Sequence, residues 1–263
     1  MAIITVANTK GGVGKSTLAA NLAAAFEQAG RSVKVFDLDL QQRSLTHFLT
    51  ARRNTQGPDA GTITLAELDF DPALPVEQRG PAFRIRFEAL ARELSAQGAV
   101  VIIDLPAGGG AFGGAALELT DVVITPMNDS LVDLSAIETA GGEVGELGWL
   151  VSSARRRRKE AGRPGFCWAV VLNRVSPLDS HHSKRVKRRL EEMSQHWSFA
   201  LAGALTERIA HRTLFDEGRT LVDQAAAQSA LAPSLEHGHR EISSLMGALG
   251  LNTCRGRAAA AQA

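Results

Sequence analysis

The sequence predicts an α/β fold: a doubly wound, mainly parallel sheet with helices on both faces. Three observations carry that expectation. Short β-branched apolar runs alternate with helix-period stretches along most of the chain. The first such run passes through a glycine-rich turn directly into a helix-forming segment. The chain has 263 residues, 44% hydrophobic and 22% charged, which is ordinary for a globular protein with a large core.

Taken in order, Ile3-Ile4-Thr5-Val6-Ala7 is suited to a buried parallel strand. Residues 8–17 then read "NTKGGVGKST", and Thr17–Ala23 is helix-forming, with Leu18 and Leu22 one turn apart. The strict pattern G-x-x-x-x-G-K-[ST] requires glycine where Thr9 stands, but the physics of the loop survives the mismatch. Gly11, Gly12 and Gly14 let successive N–H groups point inward, around Val13. The following helix adds its positive end, so the nest attracts a polyphosphate. Lys15 is placed to contact the β- and γ-phosphates and the Ser16 hydroxyl to bind Mg2+, with Thr17 completing the segment. The competing reading is a glycine-rich turn with no ligand. Strand, loop, Lys-Ser and helix in this order favour a nucleotide site. Lys10 is then a second lysine, five residues before the one the loop needs.

Val33–Leu38 is the second predicted strand and Val100–Ile103 the third, followed by 122–124 and Trp168–Leu172. Helical patterns lie near 83–97, 132–150, 180–197 and 235–249. Residues 54–81, punctuated by glycine and proline, read as a long irregular insertion. With no repeat and no linker, residues 1–251 are expected to form one domain and 252–263 a frayed tail. Ligands in such sheets sit beyond the carboxyl ends of the strands. "VFDLDLQQR" puts Asp37 and Asp39 at the second tip, and "VIIDLPAGGG" puts Asp104 at the third. An acid there holds Mg2+ directly or through water, or else caps the next turn; for Asp37 and Asp39 both readings stay open.

The longest apolar runs, such as Ala99–Ile103, are too short to cross a bilayer, and no signal peptide precedes the first strand, so a cytoplasmic protein is expected. Cys167 and Cys254 show no metal-ligand spacing and read as reduced thiols. Charge is uneven. Residues 151–220 carry 15 Lys/Arg and 7 Asp/Glu, a balance of +8 within a chain of net +1, which leaves −7 elsewhere. That asymmetry points to a polyanionic partner. In the helix near 180–197, Val186, Leu190, Met193 and Trp197 share one stripe, while Lys184, Arg185, Lys187, Arg188 and Arg189 occupy the flanks and outer face. Arg208 and Arg212 extend this candidate DNA-binding patch; the bland alternative is a solvated helix face. Arg155–Lys159, just before Gly162 and Pro164, reads as a flexible surface loop. His181 and His182 read as surface residues, and Phe166 and Trp168 as core.

"KGGVGKST", the Asp-x-Asp tip and "IIDLPAGGG" together resemble the ParA/MinD family of deviant Walker A ATPases, whose signature is an extra lysine at the position of Lys10. The resemblance implies a P-loop NTPase that uses ATP and Mg2+ and hydrolyses ATP to ADP and phosphate. It implies a homodimer closed face to face, with Lys10 reaching the phosphates of the partner. Asp39 would position the attacking water, Ser16, Asp39 and Asp104 would support Mg2+, and Asn173 would hydrogen-bond the adenine edge. "DLDLQQRS" has Leu40 where the family usually has proline. With "VVITPMNDSLVDL" (122–134) and "VVLNR" (170–174), it is most similar to the MipZ group of division-site regulators. That similarity implies non-specific DNA binding, nucleoid association, and a ParB-like protein or FtsZ as partner. The alternative within the family is an orphan ParA-type ATPase that positions a chromosome, plasmid or other cargo. A relative of the nitrogenase iron protein needs cluster cysteines beside the nucleotide motifs, and neither Cys167 nor Cys254 sits there. A MinD-type membrane protein needs an amphipathic terminal helix, for which "NTCRGRAAAAQA" offers little apolar anchor.

Overall fold

Apolar residues on both faces of every central strand require helices on both sides of the sheet, and the computed structural model supplies them. It describes residues 1–57, 61–66, 74–176, 181–227 and 233–250. The elements run β1 (Ala2–Val6), α1 (Lys15–Gln28), β2 (Val33–Asp37), α2 (Ser44–Gln56), β3 (Ile63–Leu65), α3 (Val76–Ala96) and β4 (Val100–Asp104). A 3-10 turn at Gly110–Phe112 leads into α4 (Gly113–Leu119), β5 (Val122–Asn128), α5 (Leu131–Leu134) and α6 (Glu146–Glu160). Then come β6 (Cys167–Val175), α7 (His181–Trp197), β7 (Ala200–Thr206), α8 (Ala210–Asp216), α9 (Leu221–Ala227) and α10 (Pro233–Ala248).

The strands form one seven-stranded sheet in the order β3-β2-β4-β1-β5-β6-β7, with every pairing parallel. Alternation along each strand divides the core in two. Ile3, Val101 and Ile103 face a cluster with Phe83 and Phe87 of α3, Leu147 and Val151 of α6, and Val186, Leu190 and Met193 of α7. Ile4, Val100 and Ile102 face the other, with Leu18 and Leu22 of α1, Phe48 of α2 and Ile242 and Leu245 of α10. Register aligns the chemically important ends: Val6 pairs with Asp104, Asp37 with Asp104, and Asn128 with Asn173.

Three expectations need correction. Residues 54–81 are not one irregular insertion: α2 continues to Gln56, β3 pairs along β2, and α3 starts at Val76 with Pro81 inside it. An exposed β2 edge is better satisfied by a short partner strand than by loop. Residues 132–150 are not one helix. The chain leaves α5 at Leu134, makes a bridge between Glu138 and Val144, and packs Gly145 against the Ser135 and Ala136 carbonyls, so closely that a Cβ there would collide with them. Finally, Arg155–Lys159 is the last part of α6 rather than a loop, fixed by the aromatic and carbonyl contacts of its arginines. The expected core residues Phe166 and Trp168 are 5% and 1% exposed, and His181 and His182 lie on the surface. The expected tail, 252–263 with Cys254, lies outside the described residues.

Candidate nucleotide site

The loop between β1 and α1 is anchored at its entry. Asn8, 2% exposed, donates from its amide to the Pro126 carbonyl (2.8 Å) and accepts from the Lys10 backbone N–H (2.9 Å). Gly12 and Gly14 adopt φ of 72° and 87°, the left-handed region that an L side chain resists. Gly14 immediately precedes α1, whose N-terminus has no side-chain cap and so keeps its N–H groups for a ligand. Lys15 is 8% exposed and folds back over the loop, donating from Nζ to the Lys10 carbonyl at 3.0 Å. Burial pushes its pKa below the ordinary lysine value, and the charges of Asp104 and Asp39 partly counter that.

Asp104 forms the floor. It is 1% exposed, and neither carboxylate oxygen has a hydrogen-bond partner. Burial pushes its pKa up to about 7; the Ser16 hydroxyl and Lys15 oppose the rise, Asp37 and Asp39 reinforce it. The Ser16 hydroxyl acts on the carboxyl without meeting the geometry that would satisfy either oxygen. A buried carboxyl left in this state is unfavourable unless something completes it. A magnesium ion fits: Ser16 and Asp104 offer it hard oxygen ligands beneath the loop. Among the described residues no three His, Cys, Asp or Glu side chains form a metal-binding group.

The structure separates Asp37 from Asp39. Asp37 Oδ2 accepts from both the backbone N–H and the hydroxyl of Thr46, each at 2.8 Å, and so caps the first turn of α2. Asp39 is half-buried, accepts from the Gln42 N–H at 2.9 Å, and faces Lys15 and Asp104 electrostatically. Asn173 comes to the loop from the end of β6, its Nδ2 donating to the Val13 carbonyl at 2.7 Å. A Cβ at Gly14 would run into that amide. Lys10 points elsewhere. Its Nζ donates to the Val132 carbonyl at 2.5 Å and pairs with Asp133 Oδ1 at 3.2 Å. Sequence reasoning gave Asp133 no role; nothing local marks it, because its partner is 123 residues away.

The basic residues divide. Lys184, Arg185, Lys187 and Arg188 are exposed on α7, as is Arg212 on α8. Arg188 pairs with Glu192 at the surface. Arg189 is held by Glu138 (2.8 Å), which also accepts from the Trp197 indole, so it braces α7 against the segment before α6. Arg208 does not extend the patch. Its side chain is 8% exposed, pairs with Glu241 (2.6 Å) and donates to the Thr206 and Ser234 carbonyls, tying the end of β7 to α10. Arg212 lies on α8, whose Phe215 packs with the α1-side core, whereas α7 packs with the other. In α6, Arg155 packs over Phe166 and Trp168 and donates to the Trp197 and Ser198 carbonyls. Arg158 is 7% exposed and serves the carbonyls of Pro164, Glu118 and Thr120. These arginines are structural.

Beside Arg208, burial holds the His211 pKa down to about 4, with Arg208 adding to the shift and Glu241 opposing it. The imidazole therefore folds neutral. Unfolded chains take up its proton first, so stability should fall as pH drops from about 6.5 toward about 4. Urea melts across that range should show a shallower fall for His211→Gln than for the wild type.

The family model described as ATPase MipZ matches residues 2–253. The chain belongs to the MipZ family of ATPases. It shares the broader ParA/MinD group with its relatives. Protein ParA of Rhizobium radiobacter is 27% identical over 238 residues, which span 90% of this chain and 92% of that protein. The flagellum site-determining protein YlxH of Helicobacter pylori is 26% identical over 264 residues, 91% of this chain and 84% of that protein. Among solved structures, apo McdA of Cyanothece superposes with a TM-score of 0.68 at 18% identity, covering 95% of this chain and 100% of McdA. MinD of Aquifex aeolicus superposes with a TM-score of 0.58 at 18% identity, covering 94% and 98%. These structures share the fold of this MipZ-family chain. Among its described residues, no helix is long and apolar enough to cross a membrane.

Proposed function

We propose that residues 1–251 are a single ATPase domain that binds ATP with Mg2+, dimerises in the ATP state, and hydrolyses ATP slowly to ADP and phosphate. The ATP dimer associates with DNA irrespective of sequence and regulates the position of cell division in the cytoplasm, at the nucleoid. One observation carries the switch. The two loop lysines do different work: Lys15 lies over its own loop, while the Lys10 side chain, 30% exposed, reaches outside it to Val132 and Asp133. Lys15 is the cation for the chain's own nucleotide, and Lys10, once it leaves Val132 and Asp133, serves that of a second copy, which couples charge neutralisation to assembly.

Ser16, Asp104 and Asp39 would hold the magnesium, which when bound neutralises phosphate charge. Asp39 orients the attacking water. Asn173 can keep its amide on Val13 and accept from the adenine amino group with its carbonyl oxygen. The regulated partner is a ParB-like protein, FtsZ or both. The 27% identity to a ParA over nearly its whole length favours a second reading, in which the same switch positions a chromosome, plasmid or other cargo.

Light scattering should find dimer with ATP and monomer with ADP, since only the γ-phosphate gives Lys10 a target across the interface. Equal dimer in ADP would remove the purpose of the second lysine. For DNA, Lys187 and Arg188 are the residues to change, since both are exposed and neither braces the fold as Arg189 and Arg208 do. Alanine at both removes four cations per dimer. Anisotropy of a labelled duplex across a salt series should show the log–log slope flatten by up to about 3.6, at about 0.9 per phosphate contact. An unchanged slope would mean a solvated face.

A further inference from the structure

Lys10 is not loose in the single chain. Its ammonium is held by two acceptors from the first turn of α5, the Val132 carbonyl at 2.5 Å and Asp133 Oδ1 at 3.2 Å. Its own backbone N–H is fixed by Asn8, which is in turn fixed to β5 through Pro126. The loop and the end of β5 are therefore one unit, and Lys10 is tied to it at both ends. The Asp133 side chain is 15% exposed. The pair is thus shielded from solvent on one side, where an ion pair gains more than at an open surface.

We propose that Asp133 is a positioning residue for Lys10: it parks the ammonium on the chain's own α5 and withholds it from a second copy until nucleotide is bound. This rests on the reading that Lys10 acts in trans. The Lys10 ammonium has three N–H donors and commits two of them to Val132 and Asp133, so full contact with phosphates across an interface means giving up at least one of these bonds. Dimerisation must first break this contact, so the Lys10–Asp133 pair raises the ATP concentration at which dimer forms. Val132, 73% exposed, contributes only its backbone carbonyl, so its side chain can vary without loosening the hold.

Two measurements test the proposal separately. The first is the rate at which a water-soluble acetylating ester modifies Lys10 in the nucleotide-free chain, followed by peptide mass spectrometry with exposed Lys187 as reference. Asp133→Asn keeps the side-chain shape and removes its charge. It should raise the Lys10 rate about two- to fivefold, the range for a partly exposed ion pair, and leave Lys187 unchanged. Asp133→Ala, which removes the acceptor too, should raise it at least as much, and Asp133→Glu should bring it back toward wild type. Equal Lys10 rates in all four proteins would overturn the parking contact. The second is the ATP midpoint for dimer formation by light scattering, which should fall about two- to fivefold in Asp133→Asn. A changed acetylation rate with an unchanged or higher midpoint would show that the contact exists and does not restrain assembly. If wild type itself fails to dimerise in ATP, the trans reading falls, and the acetylation rates still decide the contact.

Discussion

Asp39→Ala should lower ATP turnover by at least about a hundredfold while leaving ATP-dependent dimerisation in place. Orienting a water for attack on phosphate contributes on the order of a hundredfold or more. Both acids at the β2 tip are half-buried and act on Asp104, Asp37 the more strongly, but it is Asp39 whose charge acts on Lys15. In the proposed site the loop N–H groups and Lys15 still bind phosphate without it, and Ser16 and Asp104 still hold the magnesium. The variant should therefore accumulate as an ATP dimer, seen by light scattering beside a phosphate-release assay. Near-normal turnover would move the role to another group. Asp37 is a poor substitute, because both hydrogen bonds from Thr46 occupy one of its oxygens. Asp37→Ala should instead cost about 1 kcal/mol through loss of the α2 cap.

Arg52→Ala should destabilise the fold by about 3–5 kcal/mol, on the order of 10 °C in the melting temperature. The side chain is 6% exposed and bridges three helices, donating to Glu27 of α1 (2.7 Å), to both oxygens of Asp223 in α9 (2.8 and 2.9 Å) and to the Gly218 carbonyl (3.2 Å). Burial pushes the Asp223 carboxyl up, but Arg52 and Thr220 outweigh it and hold the pKa below the ordinary value. Removing the arginine strands two carboxylates at 16% and 18% exposure without a counter-charge, and that penalty dominates the loss of the pair itself. Lysine offers one point charge and cannot span the fork, so Arg52→Lys should recover only part of the loss. A calorimetric change below about 1 kcal/mol for Arg52→Ala would mean that water reaches both carboxylates.

The sheet was legible wherever β-branched residues occupied both faces of a strand, as in β1, β2, β4, β5 and β6. It was not legible at its edges. β3 has three residues, and β7 reads Ala200-Leu-Ala-Gly-Ala-Leu-Thr206, too rich in alanine and glycine to mark a strand; neighbours decide both. Helices α2, α4, α8 and α9 were missed because each is short or weakly periodic and gains its stability from packing. Arg155–Lys159 shows the same limit in reverse: five consecutive basic residues look like solvated chain, yet Arg155 and Arg158 spend their donors on carbonyls.

By itself the sequence determined the phosphate loop, because glycine spacing, Lys15, Ser16 and the following helix are contiguous and their geometry follows from backbone sterics. It also determined that acids stand at the β2 and β4 tips, since strand ends can be read from where the apolar runs stop. Only the tertiary structure decided which acid caps a helix and which faces the loop, for Asp37 is claimed by Thr46 nine residues on. Only it decided which cations are available, because Arg52, Arg189 and Arg208 find carboxylates 25 to 171 residues away. And only it placed Lys10 on Asp133, across 123 residues. The physical reason is common to all three: local chain stiffness and periodicity act over a few residues, whereas the partner of a buried or half-buried charge is chosen by whichever distant segment the closed sheet brings within hydrogen-bonding reach.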